Sequence, residues 1–195
     1  MAKSGFFRGC LSNGFKEAKE GEINLSTGSP DSFNYFVRWL YRGLLEPAET
    51  TKTSLIDLYF LADELICPEL SNGVMDLVQA YYRVPYVKLA DLHIVIEKGL
   101  QDSRLGCFLI DQPGWEMAEG MERYMEDDEL WAGFLGLGAE VMRRVLQKSA
   151  TLVVSNDEVP PCHPEPGNLC EWHMHANESE QKECQRWDEF RKVKD

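Results

Sequence analysis

Positive charge is scarce in this chain. Twenty lysines and arginines stand against 33 aspartates and glutamates, a net charge of -13. Phosphate backbones are gripped by a surplus of Lys and Arg, so this balance excludes nucleic acid as the expected partner and disfavours anionic membrane surfaces. Long apolar runs are missing too. No stretch of about 18 apolar residues occurs, so no membrane-spanning helix is expected. Lys3, Ser4, Arg8 and Ser12 interrupt the N-terminus, which leaves no signal-peptide core. Enzyme signatures are equally sparse: there is no Walker A loop, no G-x-S-x-G elbow and no HExxH helix. Gly136-x-Gly138-x-x-Val141 is half of a dinucleotide fingerprint, but it lies in a helical pattern and follows no strand. Neither catalysis nor a small-molecule substrate is expected.

What is present is enough apolar material for a packed core, 44% of 195 residues, in one domain of ordinary size or a small domain with appendages. Six cysteines could form a disulfide framework in a secreted protein. Without a leader they read as reduced thiols of an intracellular protein, in cytoplasm or nucleus. The sequons at Asn24 and Asn177 then have no glycosylation machinery to meet.

Apolar spacing predicts a series of helices. Residues 4–13 put Phe6, Phe7, Cys10 and Leu11 on one face. Ile23 and Leu25 alternate with polar neighbours as in a half-buried strand. Ser29 is placed to cap a helix with Pro30 at its first position, and Gly43 to close it after Phe33, Phe36, Val37, Leu40 and Tyr41. Thr53 or Ser54 is expected to cap the next helix, with Leu55, Leu58, Tyr59, Ala62 and Leu65 on its face and Pro68 as its stop. Further helices are expected around Leu70–Tyr81, over Lys88–Lys98, over Ser103–Ile110 with an end before Pro113, and from Asp127 through Val145. Thr151–Val154 reads as a strand or extended arm. After Ser155 the prolines and polar residues read as a linker or tail.

Several pieces occur in an order that resembles a BTB/POZ domain, most closely the fungal kind. They are Ser4-Gly5-Phe6-Phe7, Phe15-Lys16-Glu17, Ile23–Leu25, Trp39-Leu40-Tyr41-Arg42-Gly43 and Leu58–Leu65. The resemblance implies an α+β, mainly helical fold that mediates protein–protein interaction and self-association. Met1 stands where the family's first helix would be ending, which implies a partial fold lacking its first strands and first helix. Residues 87–147 resemble the helical extension of fungal members more loosely. The expected organisation is a partial BTB/POZ domain over 1–84, a helical extension over 85–154 and a tail over 155–195.

Phe15-Lys16-Glu17 matches the hydrophobic-x-acidic motif that many BTB proteins turn towards cullin-3. The resemblance thus implies an adaptor for a cullin-type ubiquitin ligase, with Phe15 as anchor and Glu17 as rim charge. The bland alternative packs Phe15 under its own loop and leaves Glu17 solvated. The tail holds Cys162, Cys170, His173, His175 and Cys184, the thiolate and imidazole donors that zinc prefers. Their spacing departs from standard zinc-finger patterns, and incidental Cys and His in a loose tail is the competing reading. A zinc-binding structural or regulatory protein, or a truncated gene product without function, are the alternatives to an adaptor. A Cys170–His173 nucleophile pair lacks any positioning motif.

Overall fold

The computed structural model describes residues 4–11, 15–25, 28–43, 45, 51–82, 87–120, 126–155, 170 and 172–192. They are mainly helical, and no strand occurs among the described residues. The chain divides into two compact units, Met1–Gln79 with His173–Glu180 and Ala80–Trp172 with Gln181–Asp195.

The first unit contains α1 (Gly5–Leu11), α2 (Lys16–Glu20), α3 (Pro30–Arg42), α4 (Lys52–Glu64) and the larger part of α5 (Pro68–Tyr81). Both expected ends of α3 are as the sequence proposed. The Ser29 side chain accepts from the Ser32 amide at 3.1 Å, Pro30 occupies the first turn, and Gly43 closes the helix at φ 75° with its N–H on Trp39 O. Phe36 and Trp39 are buried on its inner face, and Phe7 of α1 stacks on Phe36 at 6.0 Å. Truncating a buried aromatic such as Phe36 costs about 3–5 kcal/mol.

α4 is the core helix of this unit, packed against α3. Leu55, Ile56, Leu58, Tyr59, Leu61, Ala62 and Leu65 are all buried. Burial so far around its circumference is what a helix enclosed by neighbours requires. Its cap is Thr51, not Thr53 or Ser54 as expected. Thr51 accepts from the Ser54 amide while Ser54 Oγ takes the Thr51 N–H, a reciprocal box built with serine in place of the usual Glu or Gln. At the other end, Ser4 Oγ donates to Leu65 O at 2.7 Å, and the Gly5 and Phe6 amides donate to Ile66 O and Leu65 O. The start of α1 thus satisfies carbonyls that the end of α4 would leave open. The turn holds Ile66 at φ 50°, costly for a β-branched residue. Pro68 does not merely stop α4; it is the first residue of α5, where its missing N–H is harmless.

A further expectation fails in this unit. Residues 22–25 carry no strand, since among the described residues no partner supplies the ladder hydrogen bonds that define one.

The second unit contains α6 (Leu89–Glu97), α7 (Arg104–Gly120), α8 (Asp128–Gly136), α9 (Ala139–Ser155) and the larger part of α10 (Glu178–Lys192). α7 was expected to end before Pro113 but runs through it. An interior proline costs about 3 kcal/mol. Here Leu105, Phe108, Leu109, Ile110 and Met117 are buried along the helix, whose broadest packing is against α9. The approach is close: a Cβ on Gly114 would sit 2.8 Å from Val145 O and from Lys148 Cβ. Lys148 also pairs with Asp111 at 3.0 Å and lies over the Trp115 ring.

The single helix expected from Asp127 through Val145 is two. Asp127 does cap α8, accepting from the Leu130 amide, but Gly138 at φ 94° breaks the run before α9. Thr151–Val154 is the last part of α9, not a strand or arm. α10 likewise corrects the reading of everything after Ser155 as linker.

Candidate functional site

Two groups of residues carry the functional expectations, one near the N-terminus and one in the tail.

Phe15 stands just before α2, with extended backbone (φ -79°, ψ 153°) and no capping hydrogen bond from its side chain. Phe15 is 57% exposed. Glu17 is half-buried in the first turn of α2, where a carboxylate complements the helix dipole. α2 is held by a left-handed cap at Gly21 (φ 67°), whose N–H reaches Glu17 O, and by the exposed Lys16–Glu20 pair. That pair is worth only about 0.3–0.5 kcal/mol. Phe15 and Glu17 are two residues apart, so they present an aromatic and a charge at adjacent points rather than one stripe. Leu11 at 58% and Ile66 at 63% exposure are further apolar side chains of this unit left to solvent.

In the tail, the structure separates residues that the sequence grouped. Cys162 lies outside the described residues. Cys170 is buried, and His175 and Cys184 are half-buried. Asn177 Oδ1 accepts from the Glu180 amide and Glu180 Oε2 from the Ala176 amide, a reciprocal cap that fixes the start of α10. Gln181 and Cys184 are one turn apart on that helix and share a face. Cys170 Sγ sits 3.8 Å from Gln181 O, which places it beside that face.

His173 goes elsewhere. Its Nε2 lies 3.1 Å from Asp76 Oδ1, and a carboxylate acceptor requires the proton on that nitrogen. One turn earlier on α5, Asn72 makes a two-way bond to the Met174 backbone: Nδ2 donates to Met174 O at 2.9 Å, and Oδ1 accepts from Met174 N at 2.7 Å. Asn72 and Asp76 are an i, i+4 pair on one helix face, and together they hold residues 173–174. Sequence reading missed both. An Asn and an Asp on a helix surface carry no signal that a segment about a hundred positions away will bind there. Within the second unit, Trp172 packs edge-on against Phe108 at 5.4 Å.

No helix among the described residues is long and apolar enough to cross a membrane. Residues 1–81 match the family model of the BTB/POZ domain, a protein–protein interaction module, and the match ends at the last residue of α5. No curated protein and no solved structure matches the chain.

Proposed function

We propose that this chain is a protein-interaction module of the fungal BTB/POZ type. In this reading it uses Phe15 and Glu17 to hold a cullin-3-type scaffold and so serves as a substrate adaptor of a ubiquitin ligase. The observation that carries the reading is the exposed Phe15 at the start of α2, inside the matched region. An aromatic held at a helix start loses little conformational freedom on binding, which is what makes such residues efficient anchors. Glu17 beside it supplies a charge for the rim, where it steers association more than it holds it. The net charge of -13 suits a partner face that is basic or polar.

The test is calorimetric titration of the full chain with the N-terminal region of a fungal cullin-3, at low and high salt. Saturable binding that weakens with salt is the expected result. A dissociation constant above about 1 mM, near -4 kcal/mol, would remove the cullin role. The interaction module would then need another partner.

A further inference from the structure

We propose that Cys170 and Cys184 form a reversible redox pair, closed into a disulfide by exchange with a small-molecule disulfide. The proposal is independent of the cullin reading and uses none of its residues.

Both cysteines belong to the second unit. Neither is disulfide-bonded in the structure, and their sulfurs lie within 4.8 Å of each other. Elements of that unit alone bring them together. Two residues after Cys170, Trp172 is buried and packs edge-on against Phe108 of α7 at 5.4 Å. The Cys170 thiol donates to Gln181 O at 3.8 Å, and Cys184 is one turn further along α10. A thiol that donates is reduced, so this is the open form of the pair. A disulfide bond is about 2.05 Å long, and a change of rotamer at one cysteine moves its sulfur by roughly 3 Å. Side-chain rotation therefore covers the remaining gap.

Exposure assigns the order of events. Cys184 is half-buried, whereas Cys170 is 4% exposed. An incoming disulfide thus reaches Cys184 first. The Cys184 thiol gives its proton to solvent, and its thiolate attacks one sulfur of the small molecule. A mixed disulfide forms, the external S–S bond breaks, and the first small thiol leaves with a proton from solvent. Cys170 then loses its proton and attacks Cys184 Sγ. The Sγ–Sγ bond forms, the mixed disulfide breaks, and the second small thiol leaves, again protonated by solvent. Two protein thiols have then been oxidised by two electrons, and one external disulfide has been reduced to two thiols. The ring that closes contains residues 170–184 and constrains that stretch of chain. Excess small thiol reopens it by the reverse exchange.

The experiment uses the full chain, reduced, with chelator present so that no metal masks the thiols. Glutathione disulfide is added at about 0.1 mM, well below the roughly millimolar effective concentration of a thiol tethered nearby. Acid stops the exchange, the remaining thiols are alkylated, and the chain is digested with trypsin without reductant. Wild type should yield residues 149–182 joined to residues 183–186, and excess reduced glutathione should release them. Cys162→Ser should keep that link, which assigns it to Cys170, the other cysteine of the first peptide. Cys170→Ser should instead carry glutathione on Cys184, at least about tenfold more than wild type does. Cys184→Ser should leave Cys170 without adduct. Far-UV circular dichroism checks the fold of each variant, and the wild-type and Cys162→Ser maps decide the question even where Cys170→Ser unfolds. Three results would overturn the proposal: no link in folded wild type, glutathione accumulating on Cys184 of wild type as it does on Cys170→Ser, or a link to Cys162 in place of Cys170.

Discussion

Replacing Phe15 with alanine puts a number on the cullin reading. A phenylalanine side chain carries about 150–250 Å² of surface. With the residue 57% exposed, roughly 85–140 Å² is left for a partner to cover. At about 25 cal/mol per Å² that is about 2–3.5 kcal/mol. Ordering the interface takes back part of it, so Phe15→Ala should weaken binding by about 1–3 kcal/mol, or about 5- to 150-fold in Kd. Glu17→Ala should cost under about 1 kcal/mol, fall mainly on the association rate, and fade with added salt. The assay is calorimetry of wild type and both variants against the cullin fragment, with a thermal melt of each. Because Phe15 is exposed, its melting temperature should stay within about 2 °C of wild type. Equal binding by wild type and Phe15→Ala would refute the anchor. So would a loss of binding that tracks an equal loss of stability, because the ring would then be supporting the fold rather than the contact.

Two glycine substitutions in helices should have opposite signs. Gly73→Ala in α5 meets, among the described residues, only Leu45 Cδ1 at 3.8 Å and should stabilise by about 0.5–1 kcal/mol through helix propensity. Gly106→Ala in α7 would drive its Cβ into the Leu100 carbonyl and Gln101 backbone and should cost at least about 1–3 kcal/mol; urea unfolding of the two variants measures both. Burial, and then the 2.7 Å bond to Asp91, raise Tyr82 well above the usual phenol range. In the unfolded chain that phenol ionises near pH 10 while the folded one stays protonated, so stability is fully present below about pH 10 and falls as pH rises beyond it. Tyr82→Phe should be about 1 kcal/mol less stable at neutral pH, and the gap should close between about pH 9 and about pH 11 in urea midpoints. Asn72→Ala removes both bonds to Met174 and should speed tryptic cleavage after Lys182, with an unchanged rate counting against the docking role of Asn72.

The parts of the fold legible in the sequence were those held by local chemistry. Ser29, Pro30 and Gly43 bound α3 because a cap needs only its own turn, and Asp127 starts α8 for the same reason. Three of the errors share one cause. Pro113 sits inside α7 because packing against α9 outweighs a local rule, and only the α9 residues facing Gly114 show how close that packing is. Thr151–Val154 is β-branched and apolar, which favours a strand locally, but it continues a helix already anchored by Val141, Met142 and Val145. Ile23 and Leu25 have the right alternation, yet alternation specifies a face and not a partner.

The same distinction separates the two candidate sites. Phe15-Lys16-Glu17 is contiguous, so its residue types and order could be read directly, and the structure adds what the sequence lacks, the exposure of the ring. The tail donors are also close in sequence, and zinc could be suggested from Cys and His alone. His173 and His175 look alike in the sequence; Asp76 and Asn72, about a hundred positions away on α5, are what hold His173 and the backbone beside it. An amide that makes both bonds to one backbone unit fixes that unit's position, so the docking of residues 173–174 comes from α5 and not from the tail's own sequence.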